Sequence, residues 1–152
     1  MYSAVLILHS LWRWVVLGLA FWLLIALVRG VMQPTREFNR AKRLMSWFVI
    51  SLDIQLLLGL LLFVVLSPTT TRLLLEGKMA LGDPHVVYWT MEHVVPMTVA
   101  VLLAHAGQVS VRRASGAAQY RRALFVFGVV FVVILISIPW PFRVHGRPWV
   151  RI

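Results

Sequence analysis

The chain alternates four long apolar runs with short polar connections, and that rhythm predicts four membrane-crossing helices. The runs cover about residues 4–28, 44–66, 86–109 and 123–140. Each is close to the roughly 20 mostly apolar residues a helix needs to cross the hydrocarbon core. The runs are too long for barrel strands and show no sustained alternation. The expected fold is all-α, a single integral membrane domain over residues 1–152 built as an up-down-up-down four-helix bundle. The first run has neither a basic leader nor a small-residue cleavage site, so it reads as a retained helix and not a signal peptide.

The connections orient the bundle. Residues 29–43 carry Arg29, Arg36, Arg40, Lys42 and Arg43, and residues 110–122 carry Arg112, Arg113, Arg121 and Arg122, against the single acid Glu37. On the other side Arg72, Lys78, Arg143, Arg147 and Arg151 are offset by Glu76 and Asp83. The positive-inside rule then places the two short basic loops in the cytoplasm and both termini outside. In the longest connection, 67–85, Ser67 and Pro68 end the second run. Residues 72–81 read as a short interfacial helix before Gly82-Asp83-Pro84, more simply a connector than a cover over a site. Trp12, Trp14, Tyr88, Trp89, Trp140 and Trp149 form the expected outer aromatic belt, and Trp47 marks the inner boundary.

Composition narrows the chemistry. Of 152 residues, 61% are hydrophobic and 13% charged, with a mean hydropathy of +0.86; soluble domains are more charged and less apolar. The absence of cysteine removes thiolate clusters, covalent haem attachment, disulfides and Cys-based zinc sites. The formal net charge of +10 comes from residues lying between apolar runs. They read as topology signals and anionic-lipid contacts, so the expected partner is the bilayer and not nucleic acid. No nucleophile–base motif, phosphate loop or H-E-x-x-H appears, which argues against soluble-substrate enzymology.

Polar residues inside apolar spans carry the functional signal, since each costs roughly a few kcal/mol there. His9 and His93 open the first and third spans, which start on the same side, so the two imidazoles lie at nearly one depth. That arrangement suits one b-type haem held between two helices. Arg13 follows His9 by one turn, on the same face, and is a candidate partner for a haem propionate. Glu92 adjoins His93, and Pro96 bends the helix just beyond. Asp53 and Gln55 lie mid-way along the second span. Arg13 and Asp53 reach similar depths, so a buried Arg13–Asp53 pair is expected. Asp53, Gln55 and Glu92 are further candidates for supporting the imidazoles.

His105, twelve residues after His93, lies roughly 18 Å deeper by helix rise. No other span offers it a histidine partner, so one haem is expected, with His105 a packing residue or a quinone contact. His85 and His145 read as surface histidines. The fourth span has no ionisable group and reads as packing wall. Gly18, Gly59 and Gly107 allow close helix contact or close approach of a flat macrocycle.

His9-Ser10-Leu11-Trp12-Arg13-Trp14, Asp53-Ile54-Gln55-Leu56-Leu57-Leu58-Gly59, Glu92-His93 and Ile138-Pro139-Trp140-Pro141-Phe142 together resemble a family of small four-span bacterial membrane proteins, some labelled cytochrome b-like. The resemblance covers nearly the whole chain. It implies haem ligands at His9 and His93 and a place in the bacterial cytoplasmic (inner) membrane.

Three functions stay open on the sequence. The leading one is a haem b protein carrying electrons to or from quinone, or within a respiratory assembly. Its two imidazoles would fill both axial positions. The second is a non-catalytic accessory or structural subunit. The third is copper or zinc binding or transport by His9, His93 and Glu92. A homo-oligomer, with haem between protomers, fits the first as well.

Overall fold

Each apolar run folds into a helix, the structure that satisfies every backbone N–H and C=O within its own segment. The computed structural model describes residues 1–33, 37–67 and 84–150, the His85 side chain apart. Helix α1 is Tyr2–Met32. Helix α2 runs as α-helix over Asn39–Leu60 and continues as π-helix over Leu61–Leu66. Helix α3 opens at Pro84–Val87, widens into a π-helix over Tyr88–Val94 and returns to α-helix over Val95–Arg112. Helix α4 is Ala117–Ser137. There is no strand among the described residues. The proposed short helix at 72–81 lies outside them.

All four helices are long and apolar enough to cross a membrane. Only between 22% and 33% of each span is buried within the protein. Large apolar side chains such as Phe21, Leu57, Leu102 and Phe125 project from its outside. That surface needs lipid, not water, around it. The helices extend beyond the predicted spans toward the two short loops, because the charged flanking residues carry no proline until Pro34 in the first loop and none in the second.

Prolines set two local features. Pro96 has no N–H to give the carbonyl of Glu92. The helix widens just before it, and the Val95 N–H bonds the carbonyl of Thr90, a π-type turn of the kind found beside functional sites. At the other end of the bundle's sequence, α4 stops at Ser137 and not at residue 140, since Pro139 and Pro141 cannot continue the ladder.

The helices pair as two tight hairpins, α1 with α2 and α3 with α4. The hairpins meet most closely at the end carrying the short loops. There Phe48 packs edge-on to Phe127, with ring centres 5.9 Å apart. Phe38 meets Tyr120, whose hydroxyl donates to the carbonyl of Glu37 at 3.0 Å. On α3, Ala100, Ala104 and Gly107 are buried at helical spacing, and Gly107 admits Val126 of α4. Such small residues let helix backbones approach.

Two polar contacts stitch α2 to α3. Gln108 Nε2 donates to Ser46 Oγ at 3.2 Å, and His105 Nε2 meets Asp53 Oδ1 at 2.8 Å. The expected Arg13–Asp53 pair is therefore not formed. Helix rise placed those residues at similar depth, but Asp53 faces α3, where His105 satisfies it. Arg13 turns instead to the segment that follows α4.

Candidate functional site

At the end away from the short loops, the two hairpins separate around a cavity of about 330 Å³. Its wall includes His9, Ser10 and Arg13 from α1, Gln55 and Gly59 from α2, Trp89, His93 and Met97 from α3, and Arg147 beyond α4. All three residues expected at a cofactor, His9, Arg13 and His93, thus line one space.

His9 and His93 come from diagonal helices and meet at the bundle centre, ring centroids 6.5 Å apart and planes at 77°. Room for the His9 ring comes from Gly59, where a β-carbon would lie 3.1 Å from His9 Cε1.

The His93 ring is anchored by α4. Its Nδ1 lies 2.8 Å from the carbonyl oxygen of Ser137. A carbonyl only accepts, so Nδ1 carries the proton and Nε2 keeps its lone pair. This is the outer support that metal-ligating histidines characteristically have. The carbonyl is available for a reason written in the sequence. Its helical donor would be the N–H of residue 141, which is Pro141. The same logic holds two residues earlier: Pro139 leaves the Leu135 carbonyl without a donor, and Trp140 Nε1 supplies one at 2.8 Å. The fourth span, read as a packing wall, therefore contributes to the site through its backbone.

His9 is held more loosely. Gln55 Nε2 donates to the His9 carbonyl at 3.2 Å and lies 3.3 Å from His9 Nε2. His9 Nδ1 and Gln55 Oε1 are buried with no hydrogen-bond partner among the described residues, and so is Arg13 Nε. Unsatisfied buried polar atoms are rare in native proteins, and here three belong to residues lining one cavity. Together they mark a place where a ligand completes the bonding.

Residues 138–150 fold back over the cavity as a strap. Arg147 N–H bonds the Pro139 carbonyl at 3.0 Å, and Gly146 N–H bonds that of Arg143 at 2.8 Å. A β-carbon at residue 146 would lie 2.8 Å or less from the carbonyl oxygens of Trp140, Pro141 and Arg143, so the turn requires glycine. The Trp149 carbonyl accepts from Arg13 Nη2 at 2.8 Å and from Trp14 Nε1 at 3.1 Å. The Arg147 guanidinium lies 5.0 Å from the centre of the Trp89 ring. His145 stacks near Tyr88 at 4.6 Å and is part of this strap, not a free surface histidine.

Other expectations fall elsewhere. Gln55 stands beside His9, but Asp53 is committed to His105 outside the cavity wall, and Glu92 is exposed. Trp12, expected in the outer belt, turns inward and donates to the Ser51 carbonyl at 3.0 Å. No three of His, Cys, Asp and Glu come together among the described residues, so His9 and His93 lack the further donors a structural zinc takes. Sequence reasoning missed Arg147, taken only as an outer charge. The Gly146-Arg147-Pro148-Trp149 run, rich in turn and aromatic residues, was the available signal of an ordered tail.

No protein-family model, curated protein or solved structure matches the chain.

Proposed function

We propose that this chain is a multi-pass protein of the bacterial cytoplasmic membrane that holds one b-type haem between His9 and His93 and carries electrons, to or from quinone or within a respiratory assembly. The observation that carries the reading is the pairing of His93 with the Ser137 carbonyl, which leaves Nε2 its lone pair in a ring 6.5 Å from that of His9. Two imidazoles sharing one metal at about 2.0–2.1 Å per bond have ring centres roughly 6 Å apart, close to the 6.5 Å found. The orphaned atoms of His9, Gln55 and Arg13 around the same cavity support it. His9 and His93 would hold the haem, and the group would supply one-electron transfer. The chain's own task is to fix both imidazoles, shield them from water with the strap, and set the polarity around them.

The test is an absorption spectrum of detergent-purified protein from cells supplied with haem precursor, air-oxidised and then dithionite-reduced. Sharp Soret and α bands at about one haem per chain are expected; a featureless visible spectrum from folded, haem-supplied protein overturns the reading.

One observation favours a second reading, an accessory subunit. The Asp53 and His105 side chains are 39% and 51% exposed mid-way along helices that would face lipid, where a polar pair is costly. A larger membrane partner covering that face would remove the cost. This reading expects a colourless protein that co-purifies with a complex.

A further inference from the structure

The wall of the cavity carries two guanidiniums, Arg13 and Arg147, and no carboxylate among the described residues that line it. The Asp53–His105 contact lies away from this site. Arginine stays protonated in proteins, so both charges persist. Arg13 spends one Nη2 proton on a neutral carbonyl and has Nε buried with no partner. Arg147 faces the Trp89 ring, an attraction that leaves its planar fork of donors available for an oxyanion. Guanidinium donors left without a partner beside a cavity suit an oxyanion, which takes a charge-assisted hydrogen bond from each.

We infer that Arg13 and Arg147 form an anion site at the cavity mouth that receives the carboxylates of a bound porphyrin, and that the strap is therefore part of the binding site. This rests on the haem reading above and deepens it. The ligand must be an amphiphile: an apolar body reaching His9 and His93, and an anionic head held at the strap. A porphyrin with two propionates meets both demands. An anionic lipid shares the head chemistry but offers nothing for the imidazoles to bind. Trp149 links the two cationic positions, since its carbonyl holds Arg13 while Pro148 separates it from Arg147 by one residue. Losing the strap's register displaces both charges together.

The experiment titrates the full-length protein in detergent with haemin and with haemin dimethyl ester, whose carboxylates are masked, and follows the Soret shift. The unaltered chain is expected to bind haemin about tenfold or more tightly than the ester, the scale of a charge-assisted hydrogen bond. Arg147→Gln is expected to weaken haemin binding about tenfold and to leave ester binding unchanged. Arg147→Lys, which keeps the charge, is expected to recover part of the loss. Equal affinity of the unaltered chain for acid and ester overturns the anion site while the haem reading stands. Equal loss of both ligands in Arg147→Gln also overturns it, showing a strap that only supports the fold. If the unaltered chain binds neither porphyrin, the haem reading falls and the carboxylate assignment falls with it. Native mass spectrometry then decides the head group: phosphatidylglycerol retained by the unaltered chain and lost from Arg147→Gln assigns the mouth to a lipid.

Discussion

His93 and Ser137 are joined by a hydrogen bond of 2.8 Å from an imidazole to a backbone carbonyl, and that carbonyl is free because Pro139 and Pro141 end the helix there. The end of α4 thereby determines which nitrogen of a histidine on α3 keeps its lone pair. The relationship connects an unremarkable chain-breaking motif to the chemistry of the cavity, and it can be perturbed directly.

Replacing both Pro139 and Pro141 with alanine should let α4 continue, so that the residue-141 N–H takes the Ser137 carbonyl. Haem affinity is expected to fall by about tenfold or more, the usual effect of removing a ligand's outer support. Pro141→Ala alone should have little effect, because Pro139 still ends the helix. Haem titration of the two variants checks this, and equal behaviour of both contradicts it.

His9→Ala and His93→Ala should each abolish haem retention. His105→Ala should leave the haem-to-protein ratio near that of the unaltered chain, since His105 bonds Asp53 and lies off the cavity wall. Pyridine haemochrome assay against protein concentration measures the ratio. Haem lost only in His105→Ala would reverse the ligand assignment.

Gly59→Ala places a carbon 3.1 Å from His9 Cε1. Overpacking of this kind typically costs about 1–3 kcal/mol, and the expected signs are a lower Tm and weaker haem retention. Gly18→Ala is the control. Nothing lies within 4 Å of the added carbon, and alanine is favoured over glycine within a helix by roughly 0.5–1 kcal/mol. A thermal melt of both variants should therefore show shifts of opposite sign.

Asp53→Asn and His105→Ala should each destabilise the bundle, by about 0.6–2 kcal/mol for an interhelical polar contact in a membrane protein. The double variant Asp53→Leu/His105→Leu should be close to neutral, because it leaves no unpartnered polar atom. Unfolding in graded denaturing detergent tests the pattern. A double variant as unstable as the sum of the singles would show that the pair contributes more than mutual satisfaction.

Orientation can be read by labelling, since the chain has no native cysteine. Ser115→Cys, in the short loop between α3 and α4, should react with an impermeant maleimide only after the cells are opened. Ser3→Cys should react in intact cells. The opposite result inverts the topology drawn from the loop charges.

The sequence by itself determined the helices and much of the candidate site. Four runs of about 20 apolar residues admit one backbone solution in hydrocarbon, and His9 and His93 at the same ends of alternate spans bring two imidazoles to one level. Spacing along separate helices does not define how those helices turn about their axes. That is why Arg13 and Asp53, matched in depth, found other partners. It is also why Glu92, adjacent to His93, faces outward. Only the tertiary structure decided the rest: the Ser137 carbonyl behind His93, the Gln55 amide beside His9, and the strap that brings Arg147 to the cavity. Backbone groups carry no side-chain signature, and a tail that folds back makes contacts more than a hundred residues away in the chain, such as Trp149 with Arg13. Those contacts depend on where chain ends meet in space, which no local pattern encodes.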